Sequence, residues 1–530
     1  MTEDHRDVLV VGAGPTGLAL ALQAHLHGAR VTVVERRPVP ERPSRAMVVH
    51  PRTLEVLRPL GVVEELLAAG IPSPTVDLHV GRRVVRTHLG GFTLPDTPYP
   101  YLLFIRQSDL EAVLLRAVNR HGIDVQRGID VLGYRVERGR PVAIIATPAR
   151  SDELPARFLV GCDGGASRVR KSARIPFEGG RYPTDILLAD VELEGQPEGW
   201  STDVDGQAAL ARPGLLLLLP LGEKATWRVL AGVPAVFGEP FADGLGPPVA
   251  ERTVTDVVAA SGLPVKLASV AWSCQVPIHH RLASRYIRGP VLLAGDAAHR
   301  FSPAGGQGMN TGIQDACALG WRLALAAHSP GRADLILASY EKERRPVARS
   351  VLRMTRALFW LEAGRGRTAT AVRTVAPSAV GGMLPMLIRR ERLVASVVRI
   401  MSQLAWPYPD SPLSLERRTR PVLRRGAATP PGRPGQRLGD TLVVVDDRWQ
   451  RLHEATATAG FHVLLHRDAM PAGALPLASF STTVHRVQTW AGDDAVVVRP
   501  DGYIGYRGPA SLLGSWFGLV DDHRPIRLRT

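Results

Sequence analysis

Between Asp7 and Glu35 the sequence admits few folds. Asp7-Val-Leu-Val-Val11 is an unbroken apolar run, followed by Gly12-Ala13-Gly14-Pro15-Thr16-Gly17, a helical stretch from Leu18 to His27 ending at Gly28, and a second apolar run, Val31 to Val34, closed by Glu35. Apolar runs without alternation fit strands covered on both faces, as in a parallel sheet. In such a turn Gly12 permits the tight bend, Gly14 lets the backbone approach a pyrophosphate, and Gly17 lets helix and strand pack closely. The helix start, headed by Pro15 and Thr16, offers unpaired N–H groups and a positive dipole to phosphates. Glu35, 18 residues beyond Gly17, stands where a carboxylate accepts both hydroxyls of an adenosine ribose, with Arg36 beside it. It would repel a 2′-phosphate. The segment predicts a dinucleotide-binding α/β unit.

The rest of the chain must be accommodated around that unit. With 530 residues, more than one folding unit is expected. The 45% hydrophobic and 22% charged composition excludes a largely disordered chain, a collagen and a coiled coil. The run Leu215 to Leu219 is far short of the roughly 20 apolar residues of a membrane helix, and the polar start Met1 to Arg6 has no signal-peptide pattern. Three scattered cysteines (Cys162, Cys274, Cys317) make neither a disulfide framework nor a zinc cage, and a reducing cytoplasm fits. The net charge of +15 is mostly arginine and spread along the chain, without aromatics at stacking intervals. That pattern favours anionic small ligands over nucleic acid.

Texture divides the chain. Residues 1–75, 101–179 and 281–400 are expected to form a discontinuous dinucleotide domain with a helical extension. Residues 76–100 and 180–280 alternate apolar and polar residues, as in Asp185-Ile-Leu-Leu-Ala-Asp-Val-Glu-Leu-Glu194, which predicts an antiparallel sheet domain with one covered face. Residues 401–530 form a C-terminal unit, with a Pro/Gly-rich linker at 426–435.

Two further motifs narrow the cofactor. Phe158-Leu-Val-Gly161-Cys162-Asp163-Gly164-Gly165-Ala166-Ser167-Arg168-Val169-Arg170 reads as a strand entering a turn and a basic helix start. Val291-Leu-Leu-Ala294-Gly295-Asp296-Ala297-Ala298-His299 is another strand, and Pro303-Ala-Gly305-Gly306-Gln307-Gly308-Met309-Asn310 opens a helix from Thr311 to Ala327. Asp296, at a strand end beside Gly295, can hydrogen-bond a polyol such as ribityl. Gly305, Gly306 and Gly308 free the backbone to lie against a flat ring, and the helix aims its positive end at the ring edge where reduction places negative charge. Together these describe a flavin site.

On these motifs the chain resembles the class A flavoprotein aromatic hydroxylases, the family of para-hydroxybenzoate hydroxylase and phenol hydroxylase, and most of all the branch acting on polyketides and related antibiotics. Further matches are Ser44-Arg45-Ala46 to Leu54-Glu55, Arg106-Gln107-Ser108-Asp109-Leu110-Glu111, Tyr340-Glu341 to Arg344-Arg345-Pro346 and, in the tail, Val497-Val498-Arg499-Pro500-Asp501-Gly502-Tyr503 to Arg507. The resemblance implies a Rossmann-like FAD-binding domain, an antiparallel substrate domain and a thioredoxin-like C-terminal domain. The last holds no cysteine, so dithiol chemistry is excluded there. It implies that Glu35 holds the adenosine ribose, that Arg45 and Gln107 contact the phosphate and ribityl region, and that Asp296 binds the ribityl hydroxyls. Asp163 would serve both FAD and the nicotinamide cofactor, and Gly308, Met309 and Asn310 would present N–H groups to the pyrimidine edge. The plainer alternatives are a surface arginine at 45, a helix-start residue at Gln107 and a turn aspartate at Asp163.

The resemblance further implies that NADPH or NADH reduces FAD and that O2 adds to form a C4a-(hydro)peroxyflavin, which delivers one oxygen atom to a bulky aromatic, polyketide-like substrate. Baeyer–Villiger insertion on the same scaffold and a non-catalytic flavin-binding partner subunit are the alternatives. No metal is required, and the His279-His280 pair reads as structural. Trp227, Trp272 and Leu215 to Leu219 are expected over the flavin, or else as plain sheet core. Arg52 is expected to face the flavin and steer an anionic oxygen, unless it caps a helix start, and Pro303 to shape the oxygen-reacting side of the ring. A homodimer is one assembly state in view.

Overall fold

The computed structural model describes residues 6–39, 47–80, 83–147, 150–195, 206–211, 214–221, 227–235, 246, 248–363, 390–417, 432–471 and 481–521. Arg45, most of the 426–435 linker, and residues 364–389 of the helical stretch lie outside the described residues.

The apolar run Val8–Val11 is the centre of a six-stranded sheet. Its neighbours are Phe158–Gly161 on one side and Val31–Glu35 on the other, both parallel, flanked by Val291–Leu293 and Asp124–Arg127. Val8, Leu9 and Val10 are fully buried, as expected for a strand covered on both faces. The helices Pro15–Leu26 and Gln307–His328 pack against each other over this sheet. The three motifs therefore end at one edge: the turn after Val11, the turn after Gly161 and the turn after Leu293 follow adjacent parallel strands. This is the crevice at which open α/β sheets bind ligands.

A mixed seven-stranded sheet stands against that edge, with strand order Leu267–Val276, Thr184–Leu193, Trp227–Pro234, Gly214–Pro220, Gly206–Ala211, Thr75–Val80 and Arg83–His88. Alternation sorts its side chains into two faces. Ile186, Leu188, Cys274 and Val276 pack with Ala304 of the glycine loop and with Phe359. Leu187, Ala189, Val191, Val229 and Ala231 pack the other way, on Val254 and Val258 of the helix Glu251–Ala260.

A second seven-stranded sheet forms the C-terminal unit, in the order Leu415–Glu416, Ile504–Pro509, Asp494–Val498, Phe461–His466, Thr482–Val487, Leu442–Val445 and Arg448–Arg451. Among the described residues no helix is long and apolar enough to cross a membrane.

Candidate flavin site

The first glycine turn divides its three glycines between packing and access. Gly12 has φ +108°, and a Cβ there would strike the carbonyl oxygen of Cys162; a Cβ on Gly17 would strike the carbonyl oxygen of Gly12. These two are fixed by the fold itself. Gly14, at φ −81° and ψ −177°, is extended, and a Cβ there would meet no atom within 4 Å. The turn is thus open at the position where a pyrophosphate would approach the helix start. Pro15 occupies the first helical position, where its missing N–H costs nothing. Thr16 packs across the crevice, since a Cβ on Gly295 would lie 2.6 Å and one on Gly312 2.5 Å from its Oγ1. Glu35 is half-buried; its Oε2 accepts from the Ala13 N–H (2.8 Å) and its Oε1 from the Arg37 N–H (3.0 Å). The carboxylate braces the turn. Arg36 is exposed beside it.

In the second motif the Asp163 Oδ2 accepts from the N–H groups of Arg168 (2.7 Å) and Val169 (3.1 Å), while Oδ1 is buried without a hydrogen-bond partner among the described residues. Burial raises this carboxyl above its usual range. An orphaned buried acceptor is a place for a donor to arrive. Ser167 caps the following helix by accepting from the Arg170 N–H at 2.9 Å. Arg170 donates to the carbonyls of Ala297 (2.8 Å) and Gly165 (2.9 Å) and lies 3.8 Å from the Phe177 ring centroid. Burial, then Arg281 and Arg300, pull its pKa down to about 10 against the opposing effect of Asp163.

The third motif places Asp296, exposed, on a single 3-10 turn, Gly295–Ala297. Beneath it Asp315 Oδ2 accepts from the Gly295 N–H at 3.3 Å and pairs with His299 Nε2 at 2.6 Å, while Oδ1 takes Arg344 Nε at 2.7 Å. Burial alone would raise the Asp315 carboxyl; Arg344 and His299 overcome it and hold the group below its usual range. The helix Gln307–His328 then starts after left-handed Gly305 (φ +69°) and Gly306 (φ +63°). A Cβ on Gly308 would meet nothing within 4 Å, and Met309 is partly buried against the main core. The Asn310 side chain is already committed: it accepts from the His50 N–H (2.9 Å) and donates to Val48 O (2.9 Å) and Gly306 O (2.7 Å). What the helix start offers a ligand is its unpaired backbone N–H groups and the dipole behind them.

Several expected residues stand elsewhere. Arg52 is 2% exposed and does not face the glycine loop. Its Nη1 pairs with Glu55 Oε2 (2.8 Å), its Nη2 donates to Asp501 O (2.5 Å), and its guanidinium lies 4.9 Å from the Tyr503 ring centroid. It belongs to a chain of charges, buried except at its Arg399–Asp96 end, joining the C-terminal unit to the flavin domain: Arg322 and Arg499 on Glu343 and Asp501, then Arg437 on Glu55 and Asp96, then Arg399 on Asp96. An arginine already satisfied in this way cannot steer a substrate oxygen. Trp227 takes the sheet-core alternative. It lies on the Val229–Ala231 face of its strand, toward the helix Glu251–Ala260 and away from the glycine loop. Trp272 is on the loop-facing side, beside Cys274, Ala304 and Phe359. Gln107 is half-buried at the first position of its helix and donates to Glu111 Oε1 at 2.8 Å. Pro303 is exposed next to the glycine loop.

Other residues at the site were not singled out from sequence. His50 donates through Nε2 to the carbonyl of Gly305 at 2.9 Å, and burial lowers its pKa to about 4. The end of the helix Glu391–Met401 reaches the same loop: a Cβ on Gly305 would lie 2.7 Å from Met401 Cε. The helical extension expected up to residue 400 covers most of this helix but says nothing of its destination.

The donor set fits FAD: an open turn at Gly14 before a helix start, an acid at the end of the second strand, an exposed aspartate at Asp296, and open space beside Gly308 in the first turn of the helix. The family model described as an FAD binding domain matches residues 5–355, and the chain belongs to that family. A rifampicin monooxygenase from Streptomyces venezuelae is 30% identical over 524 residues, 97% of this chain and 99% of that protein. A 6-methylpretetramide 4-monooxygenase from Streptomyces rimosus is 33% identical over 413 residues, 78% of this chain and 71% of that protein. Among solved structures, an anhydrotetracycline hydroxylase from Streptomyces rimosus superposes with a TM-score of 0.73 at 28% identity, over 98% of this chain and 100% of that one. The protein is an oxidoreductase, a flavin-dependent monooxygenase with FAD as its cofactor.

Proposed function

We propose that the protein uses NADPH or NADH and O2 to hydroxylate a bulky aromatic, polyketide-like substrate. The observation that carries this reading is the apolar face of the seven-stranded sheet, with Trp272, Leu188 and Cys274, set directly against Ala304 of the glycine loop. An apolar wall beside a flavin cradle suits a large flat ligand, and the relatives above are named for 6-methylpretetramide, rifampicin and anhydrotetracycline.

FAD, when bound, supplies the electron transfer and oxygen chemistry. This chain's residues bind and orient. The turn Gly12 to Gly17 and the helix start behind it receive the pyrophosphate. Glu35 receives the ribose, Asp296 the ribityl hydroxyls, and the N–H groups of Gly308, Met309 and Asn310 the pyrimidine edge. The sheet face excludes water from above the ring. For the reductant, Arg281 and Arg300 stand near the buried Arg170 and Asp163 as a cationic patch, and Arg281 Nε is buried without a hydrogen-bond partner among the described residues. Such a patch suits a dinucleotide's phosphates. The C-terminal sheet, with Phe461–His466 parallel to Thr482–Val487 and antiparallel to Asp494–Val498, supports a thioredoxin-like unit that lacks redox cysteines and serves as a structural partner of the flavin domain.

The test incubates the yellow purified protein with NADPH or NADH in air, using anhydrotetracycline and rifampicin as probes, and analyses products by mass spectrometry and NMR. Probe-stimulated oxidation of the nicotinamide with a phenol one oxygen heavier supports hydroxylation. A lactone product would replace it with Baeyer–Villiger insertion. Nicotinamide oxidation unaffected by any polycyclic aromatic would overturn the substrate class.

A further inference from the structure

The helix Glu391–Met401 ends in an unusual cap directly on the flavin loop. The Gln403 N–H donates to Ile400 O (3.1 Å) and the Leu404 N–H to Arg399 O (3.0 Å), the two bonds of a Schellman motif. The residue at its left-handed position is Gln403, with φ +61°. Glycine is the residue that position favours, because a side chain there crowds the backbone. Folding alone therefore gives no reason for glutamine.

Its side chain supplies one. Gln403 is 2% exposed, and its Nε2 donates to Gln307 Oε1 (3.0 Å) and Thr311 Oγ1 (2.8 Å). Gln307, the first residue of the flavin helix, in turn donates to Met401 O (2.7 Å) and Gly305 O (3.2 Å). His50 donates to the same Gly305 carbonyl, and Ser402 Oγ lies 3.5 Å from His50 Nδ1. The turn Met401 to Gln403 is thus a strap over Gly305, Gln307 and Thr311, the residues that shape the first turn of the helix. Strained non-glycine backbone persists where its surroundings hold it, and it concentrates at functional sites.

We propose that Gln403 is a positioning residue for the flavin: held inward by a left-handed helix cap, its amide fixes the glycine loop and the first turn of the helix Gln307–His328 in the shape that receives the ring. This rests on the reading that the Gly308 to Asn310 N–H groups face the pyrimidine edge. Loosening that turn weakens the alignment of the dipole with the reduced, anionic ring more than with the oxidised one.

The holoprotein is compared with Gln403→Met, which keeps the volume and removes the amide, and with Gln403→Gly, which suits the left-handed cap. FAD affinity is measured by flavin fluorescence, the midpoint potential by photoreduction against reference dyes, and stability by thermal melting. Loss of the amide is expected to raise the FAD Kd about 3- to 10-fold in both variants. A further 3- to 10-fold loss for the reduced ring, beyond that for the oxidised one, lowers the two-electron potential by about 14–30 mV. The glycine variant is expected to show this while melting no lower than the methionine variant. Lower melting with wild-type affinity and potential would make Gln403 a purely structural pin and overturn the proposal. If Gln403→Met does not fold, Gln403→Gly decides alone. Failure of the wild-type protein itself to bind FAD would bring down the site reading and this inference together, whereas unaffected variants of a yellow wild-type protein bring down this inference only.

Discussion

Gly14→Val separates the cofactor site from the fold that carries it. Gly14 is extended and a Cβ there meets no atom within 4 Å, so the backbone accepts valine without strain. The folding cost is that of a poor helix N-cap, about 1 kcal/mol. The same space is where the pyrophosphate would lie against the helix start. Denying it about two charge-assisted hydrogen bonds, each worth roughly 1.5–3 kcal/mol, amounts to about 3–6 kcal/mol of binding, or about 10²- to 10⁴-fold in Kd. Urea unfolding of flavin-free protein and fluorescence titration with FAD give the two numbers. Gly17→Val is the contrast, because its side chain would strike the Gly12 carbonyl and must damage the fold. Retention of stoichiometric FAD by Gly14→Val at micromolar protein, or a large loss of stability in its flavin-free form, would refute the reasoning.

Arg52→Met removes one member of the buried charge chain; unfolding by urea should show a loss of about 3 kcal/mol, with flavin content per folded molecule unchanged. Trp227→Ala should lower stability without altering KM, whereas Trp272→Ala should raise KM for a polycyclic substrate, in steady-state assays run beside melting curves; the opposite assignment would reverse the two faces of the sheet. Burial holds His50 and His462 down to about 4, well below the ordinary imidazole value. The unfolded chain therefore takes up those protons first, and stability present at pH 7 is lost as pH falls from about 6.5 toward 4. Each group accounts for about 2 kcal/mol between pH 7 and 5, and a flat urea midpoint over that range would contradict it.

What the sequence revealed about the site was backbone chemistry. The turns at Gly12 to Gly17, Asp163 to Ser167 and Gly295 to Asn310 demand particular residue types at particular spacings, and all three follow adjacent strands of one sheet. What it hid was partnership across the chain. Arg52 meets Asp501, 449 residues away, and no local pattern contains that distance. Trp227 and Trp272 both sit in alternating strands, but alternation defines two faces without saying which one meets the glycine loop; packing with Ala304 or with Val254 decides it. Asn310 was expected for its backbone N–H, and its side chain turned out to tie the loop to Val48 and His50. The strap at Met401 to Gln403 was invisible for a similar reason: a glutamine in place of a cap glycine leaves no sequence signature of a helix stop.

The charge chain that absorbs Arg52 also bears on engineering. Its members alternate in sign across the seam, with Arg52, Glu55, Arg322 and Glu343 on one side and Arg437, Arg499 and Asp501 on the other. A chimaera that borrows a homologous tail must import matching seam residues on both sides, or it will strand a guanidinium or carboxylate in a dry interior. Domain shuffling into or out of this chain is thereby confined to breakpoints that carry the whole ion ladder as a cassette.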